Sequence, residues 1–426
     1  MFTEIKDNEE SFRNRAGLEK RVLGGEVVVA RKALQAYDCM ALLEDAALRG
    51  IEKSQGANVA AQAAEEGFHR IHEWVVAADI PAMTDAVYDE IRPLAAVFLR
   101  QFIPGMFPGI TSYFYEKTPN VRFHIPYDIA AAHQKAYNQF GKNRGQGKIT
   151  AHGPHRDSWL DCPSNGINLW FAIGRIRPGN GLTVYNQDYN TNASYQKSGN
   201  ISDGEKLHRA LSFDLYPGDA VIFHTDHVHG SELNRLQETR FAVSFRVSIE
   251  KPRFENLHYH HYVYSDLESY SKLSQVPALA QLSYVRSLIT RSINKVIPDK
   301  KAQQKKSQPP ENIGASNGDT IRLPLSEVPV GQVRGISAAL CVARLDEYEF
   351  VAMTRRCPHQ GGDFANGWVD NKQIVCPWHN LPFCSETGRS NCSSLPALKM
   401  VRSERIGDEI VVYPKERIEA RSSSQI

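Results

Sequence analysis

The chain is short of everything that would tie it to a membrane, an export route or a nucleic acid. Across its 426 residues no uncharged apolar run approaches the ~20 residues that span a bilayer. The stretch from Met1 to Glu10 holds no apolar segment of the kind a secretory signal needs. A formal net charge of +2 gives no overall pull toward nucleic acid or anionic lipid, since both require a concentrated positive field. Cysteine is scarce as well: seven residues are too few to staple a disulfide scaffold. What remains is an ordinary globular composition, 42% hydrophobic and 23% charged, on a length that suits two or three domains of ~150 residues. The expectation is a soluble cytoplasmic enzyme with no nucleic-acid partner, no membrane partner and no internal repeat.

Periodicity divides the chain. Residues 27–100 read as mostly helical, with Met40, Leu43, Ala46, Ala47 and Ile51 at helical spacing. From about Ile110 the texture changes to short β-branched and aromatic runs, such as Thr111–Tyr115, Gly166–Ile173, Ala220–His224 and Arg240–Ser248, separated by Pro, Gly, Asn and Asp. That spacing suits antiparallel strands in a barrel or sandwich. Residues 268–297 return to helical periodicity. Pro298–Thr320 is rich in Lys, Gln, Ser, Asn and Pro and reads as a flexible linker. Its 23 residues span roughly 25 Å as a random coil. A second β-rich unit starts at Ile321.

That second unit contains Cys357-Pro358-His359 and, after sixteen residues, Cys376-Pro377-Trp378-His379. C-x-H followed by C-x-x-H supplies two thiolates for one iron and two imidazoles for the other. Paired Cys followed by paired His would suit zinc, whereas mixed pairs on two loops do not. With Gly361-Gly362, Gly367, Ile374-Val375, Phe383 and Thr387-Gly388, residues 321–414 resemble a Rieske [2Fe–2S] domain. The resemblance implies Cys357, His359, Cys376 and His379 as cluster ligands. Gly362 and Trp378 stand where respiratory Rieske proteins carry loop-tying cysteines, so the similarity is to the disulfide-free ferredoxin and oxygenase type. Asn380 stands where Gly is usual, and Cys384 where Asp is common.

A second iron signature precedes it. His155-Arg156-Asp157 and a distant His229 offer two imidazoles and a carboxylate, the donor set of a non-haem Fe(II) facial triad that leaves positions open for O2 and a cosubstrate. On an extended strand His155 and Asp157 would share a face. Arg240 could pair with a dicarboxylate. Together with Pro217-Gly218-Asp219-Ala220 and the run His229-Gly230-Ser231 to Asn234, residues 110–250 resemble the phytanoyl-CoA hydroxylase family of Fe(II)/2-oxoglutarate dioxygenases. The resemblance implies a double-stranded β-helix, iron on His155, Asp157 and His229, and Arg240 with Ser231 on the distal carboxylate of 2-oxoglutarate. Halogenating relatives carry a small residue in place of the carboxylate, so Asp157 favours hydroxylation. Gln134 is a candidate for cosubstrate contact or an ordinary structural amide.

The remaining candidates read as bland. His224 and His227 suit neighbouring or surface positions, and His152 the turn before His155. His69 with His72, and His258 with His260 and His261, could pair on metals but lack a third ligand; helix surface, strand or pocket wall fits better. Trp159 is expected to pack at the barrel mouth, and Arg175 and Arg177 to be solvated.

The expected architecture is mainly β with flanking helices. A jelly-roll, cupin-like barrel unit spans 1–297, with its β-helix core at about 110–250. The linker at 298–320 and a small all-β Rieske unit at 321–426 follow. The expected chemistry is oxidation of a C–H bond of a small organic metabolite with O2 and 2-oxoglutarate. The cluster would be an auxiliary electron-transfer centre, fed by a ferredoxin or reductase, and a homo-oligomer stays compatible. Two alternatives remain open: a Rieske-driven oxygenase that dispenses with 2-oxoglutarate, and a non-catalytic electron carrier or redox sensor. True Rieske oxygenases place the cluster domain first, the reverse of this order.

Overall fold

Alternation of apolar residues with period two builds the N-terminal half around one twisted sheet. The computed structural model describes residues 1–5, 15–133, 152–160, 162–196, 199–254, 262–267, 315–316 and 320–418. Gln134, His258, His260, His261, the segment 268–297 and most of the linker lie outside the described residues.

The strands are β1 (Phe2–Ile5), β2 (Val27–Ala30), β3 (Ser112–Glu116), β4 (Asn120–His124), β5 (Ile167–Ala172), β6 (Leu182–Tyr185), β7 (Leu211–Ser212), β8 (Ala220–His224), β9 (Val228–Ser231), β10 (Arg240–Ser248) and β11 (Tyr262–Asp266). The major sheet runs β1-β2-β8-β5-β10-β3-β11, with β4 also paired to β10. A smaller sheet, β7-β6-β9, faces it and completes the jelly roll. The β core was expected at about 110–250, but the sheet extends past it at both ends. Val27–Ala30, fully buried, pairs antiparallel with β8 and parallel with β1. Four apolar residues are too few to register against a long helical pattern, and only the tertiary partner reveals the strand.

Parity on β10 separates the two faces of the major sheet. Phe241, Val243, Phe245 and Val247 point outward into a core shared with the helices Met40–Gln55, Ile80–Ile91 and Ala95–Met106. Phe98 stacks on Phe245 with centroids 4.5 Å apart and meets Phe171 edge-on at 5.2 Å, so one helix is locked to two strands by offset aromatic packing. Of the even positions, Ala242, Ser244 and Arg246 sit in register with Ala172, Trp170 and Asn168 of β5, and Arg240 with His124 of β4. These residues face the barrel interior.

The C-terminal half is all β. Strands β12 (Ala315–Ser316), β13 (Ile321–Pro324), β14 (Val333–Gly335), β15 (Leu340–Arg344) and β16 (Phe350–Thr354) precede β17 (Trp368–Asp370), β18 (Gln373–Cys376) and β19 (Leu381–Cys384), then β20 (Met400–Ile406) and β21 (Glu409–Ile418). Seven of them form one sheet, β12-β13-β21-β20-β16-β15-β14, while β17-β18-β19 form a separate three-stranded sheet carrying the second Cys/His pair.

Candidate active site and cluster-binding loops

His155 and His229 face each other across an isolated antiparallel bridge, each donating its backbone N–H to the other's carbonyl at 2.9 Å. Asp157 opens a short 3-10 turn, Asp157–Trp159, rather than continuing an extended strand. The expected strand geometry therefore holds for His155 only. The turn still aims the carboxylate inward: Asp157 Oδ1 lies 3.8 Å from His155 Nε2 and 3.7 Å from His229 Nε2. All three groups are buried, with ligand atoms within 4.8 Å of one another.

The imidazoles are oriented for a metal. His155 Nδ1 contacts Gly153 O at 2.8 Å and His229 Nδ1 contacts His227 O at 3.0 Å. A carbonyl only accepts, so both Nδ1 atoms carry the proton and both Nε2 lone pairs face the carboxylate. Burial, with His229 alongside, pushes His155 down to about 4. Burial drives the Asp157 carboxyl up, but Arg246 and the two histidines outweigh it and hold it well below the usual range. A neutral, neutral, anionic donor set fits a divalent iron.

Two residues that the sequence reading missed hold the carboxylate. Arg246 Nε and Nη2 reach Asp157 Oδ2 and Oδ1 at 2.9 and 3.0 Å, and Asn168 Nδ2 donates to Oδ2. Arg246 also pairs with buried Glu116 at 3.1 Å. The signal was available: Arg246 shares the parity of Arg240 on a strand whose other face is apolar.

Arg240 is 2% exposed. Its Nη1 donates to Gly181 O at 3.0 Å, and its guanidinium lies 5.3 Å from the Trp170 ring centroid. Its Nε has no hydrogen-bond partner, and no carboxylate lies within salt-bridge distance among the described residues. Burial, with Arg122 alongside, pushes Arg240 down to about 9, which leaves it cationic at neutral pH. Ser231 is buried on β9 opposite Leu182, the residue after Gly181.

The lesser candidates fall into structural roles. His227 is buried against Tyr189 and offers its carbonyl to His229, while His224 Nδ1 accepts from Asp226 N. His152 O accepts from Ser231 N, and His72 bonds the Thr239 hydroxyl. Asn234 donates to His124 O and Glu238 O, fixing the loop between β9 and β10. Arg175 departs from expectation. It pairs with Asp214 and lies 4.0 Å from the Tyr216 ring centroid, pinning a turn instead of facing solvent.

In the C-terminal half, Cys357 and Cys376 are buried with their thiols in hydrogen-bond contact, and the His359 and His379 rings lie 4.8 Å apart. The backbone N–H groups of His359 and Gln360 point at the Cys357 sulfur, and that of Trp378 at Cys376. His359 Nδ1 is buried with no hydrogen-bond partner, which leaves it free to take a metal. A Cβ at Gly362 would lie 3.0 Å from Cys376 Sγ, so only glycine lets the two loops close. The donor set and amides fit a [2Fe–2S] cluster. Arg355 and Asp363, both fully buried, pair at 2.9 Å and clamp the base of the first loop.

Asn380 explains its own departure from the usual Gly. Its φ is +52°, a left-handed conformation that Asn tolerates better than most residues. Its Nδ2 donates to Glu232 Oε1 at 2.9 Å, tying the second loop to the barrel.

A jelly roll with a buried two-histidine, one-carboxylate site, joined to mixed Cys/His loops, defines an iron-dependent oxygenase with a Rieske centre. Residues 27–242, half of the chain, match the family model described as phytanoyl-CoA dioxygenase (PhyH), and the protein belongs to that family. Residues 322–414 match the Rieske [2Fe-2S] domain. Over 93 residues the chain is 33% identical to the 3-phenylpropionate/cinnamic acid dioxygenase ferredoxin subunit of Escherichia coli strain K12, covering 21% of this chain and 77% of that one. Among solved structures, the ferredoxin of carbazole 1,9a-dioxygenase from Nocardioides aromaticivorans IC177 is 22% identical, covering 23% of this chain and 100% of that one, with a TM-score of 0.21. The non-heme alpha ketoglutarate dependent epimerase SnoN from nogalamycin biosynthesis is 13% identical, covering 40% and 54% of the two chains, with a TM-score of 0.21. Among the described residues no helix is long and apolar enough to cross a membrane.

The buried histidines set a pH limit on the metal-free protein. His155 is pushed down to about 4 and His227, also by burial, to about 3. Between pH ~6.5 and these values the unfolded chain binds protons that the folded chain refuses. The stability they confer is therefore whole above pH ~6.5 and falls as pH drops, by about 1.4 kcal/mol per unit for each imidazole. Urea denaturation of the apoprotein should show a midpoint that declines steadily from neutral pH toward pH 5. A flat midpoint would mean these rings are not buried neutral.

Proposed function

We propose that this protein hydroxylates, or otherwise oxidises a C–H bond of, a small organic metabolite with O2 and 2-oxoglutarate. In this reading residues 1–297 form the oxygenase unit and 321–426 the Rieske unit. His155, Asp157 and His229 hold Fe(II), while Cys357, His359, Cys376 and His379 hold the cluster as an auxiliary one-electron centre. Bound iron would supply Lewis acidity and O2 activation. The chain's own residues supply the rest. Asn168 and Arg246 fix Asp157, and the Gly153 and His227 carbonyls fix the two imidazoles. Arg240, with Ser231 nearby, receives the distal carboxylate of 2-oxoglutarate, and Trp170 excludes water from that pair.

The observation that carries the reading is Arg240, a buried cation that buried Glu232 supports only at longer range and that no carboxylate among the described residues meets at salt-bridge distance, on the same inner face of β10 as the arginine that grips Asp157. A buried guanidinium is tolerated when an anion completes it, and a planar fork matches a carboxylate bidentately. An oxygenase drawing all its electrons from the cluster would have no dicarboxylate to anchor there. Arg240→Ala should raise the 2-oxoglutarate concentration needed for half-maximal CO2 release about a hundredfold or more while leaving iron content intact. Unchanged kinetics would move the cosubstrate elsewhere and favour the cluster-driven alternative.

A further inference from the structure

The two halves are docked through the loops that carry the cluster ligands. Tyr127 meets His359 edge-on at 5.1 Å, and its backbone N–H donates to Asn234 O. Leu233 N donates to His379 O at 3.1 Å, four residues beyond His229. The Tyr185 hydroxyl donates to Pro377 O at 2.5 Å, and Tyr185 pairs in β6–β9 with Val228, the neighbour of His229. Around them Trp159, Ile201, Val228, Trp368 and Val375 form a shared apolar cluster. Ion pairs Arg356–Asp203 at 2.7 Å and Arg209–Asp370 at 2.6 Å pin the rim.

At the centre lies a layered stack. The Trp378 indole is packed between glycines of both halves: a Cβ at Gly362 would come within 2.7 Å of its Cγ, and one at Gly153 within 3.2 Å of its Cδ2. Behind Gly153 sits Gly230, where a Cβ would lie 2.9 Å from His152 O. Gly153 O is also the acceptor for His155 Nδ1. From the cluster loop, the indole edge that a single carbon on Gly153 would touch, and then one hydrogen bond, lead to the imidazole facing the mononuclear site. Bulkier residues at the glycines would open this path.

We propose that Trp378 and Gly153 form an electron conduit within one chain, through which the reduced cluster returns ferric mononuclear iron to Fe(II). The inference rests on the function proposed above. One electron leaves the [2Fe–2S] centre and one enters the mononuclear iron; no bond forms and no proton moves. An external one-electron donor, a small iron–sulfur protein or a flavoprotein reductase, refills the cluster from the first-loop side, where Arg356 and Gln360 are exposed. Trp378 and Gly153 are positioning residues: neither supplies a ligand.

The test uses the full-length chain with both centres oxidised, mixed anaerobically with less than one equivalent of dithionite. Freeze-quench EPR follows the rhombic signal of the reduced cluster and the high-spin ferric signal. In the wild type the first should rise and then decay in step with the second, at a rate independent of protein concentration. Trp378→Ala and Trp378→Ser, both of which remove the indole, should each slow that decay about tenfold or more without altering the high-spin ferric line shape. A rate that scales with concentration, or one that neither variant changes, overturns the conduit and leaves the proposed function standing. Iron content that stops at the cluster's pair overturns both.

Discussion

An Asp157→Ala variant should retain the visible spectrum of the Rieske cluster, bind no mononuclear iron, and release no CO2 from labelled 2-oxoglutarate. Asp157 is the one anionic donor of the cluster of three. Without it the pocket keeps two neutral imidazoles whose rings lie 4.5 Å apart and gains the uncancelled charge of Arg246. That cation, paired with Asp157 in the wild type, would stand beside the place a divalent ion must occupy. Two imidazoles do not overcome such repulsion, so iron should be lost outright. Breaking a buried ion pair also costs about 3–5 kcal/mol when one partner is left alone. Glu116 still faces Arg246 at 3.1 Å, so the loss in urea should fall at or below the lower end. Wild-type iron content in this variant would remove Asp157 from the site.

The candidate donors of both centres could be picked out in the sequence because such chemistry demands particular residue types at particular spacings. His155 with Asp157, and the two mixed Cys/His pairs, sit close in sequence, and the isolated bridge between His155 and His229 brings the distant imidazole across. The residues that position the donors were not legible in the same way. Arg246 and Asn168 look like ordinary strand polar residues until the register of β10 against β5 places them opposite one another. Gly153 and Trp378 acquire meaning only when the two halves meet, since neither half alone predicts its contact with the other. The strand Val27–Ala30 escaped for a related reason. A short apolar run is ambiguous by periodicity, and its pairing partner lies nearly two hundred residues away at β8.

Replacing Cys376 by Ser should abolish the cluster's broad visible absorption while sparing hydroxylation in the first turnovers. Cys376 is fully buried at the end of β18, and a neutral hydroxyl there is a poor substitute for a thiolate ligand. The proposed reaction would balance without the cluster: 2-oxoglutarate would supply two electrons, the substrate two more, and O2 would accept all four. Turnover should therefore begin at a rate close to wild type and then decay faster, as ferric iron left by uncoupled cycles goes unrepaired. Ascorbate, a small one-electron reductant, should restore a linear time course. The contacts that dock the two halves distinguish this from simple misfolding. Glu232, Leu233 and Tyr185, which meet Asn380, His379 O and Pro377 O, are held by the barrel's own β6 and β9 pairing, so the barrel should keep its circular dichroism and its Fe(II) content even where the cluster loop loosens. A folded, iron-loaded variant with no turnover at all, even with ascorbate, would mean that the cluster's electrons enter the oxidation itself and that 2-oxoglutarate is not the source of the pair now assigned to it.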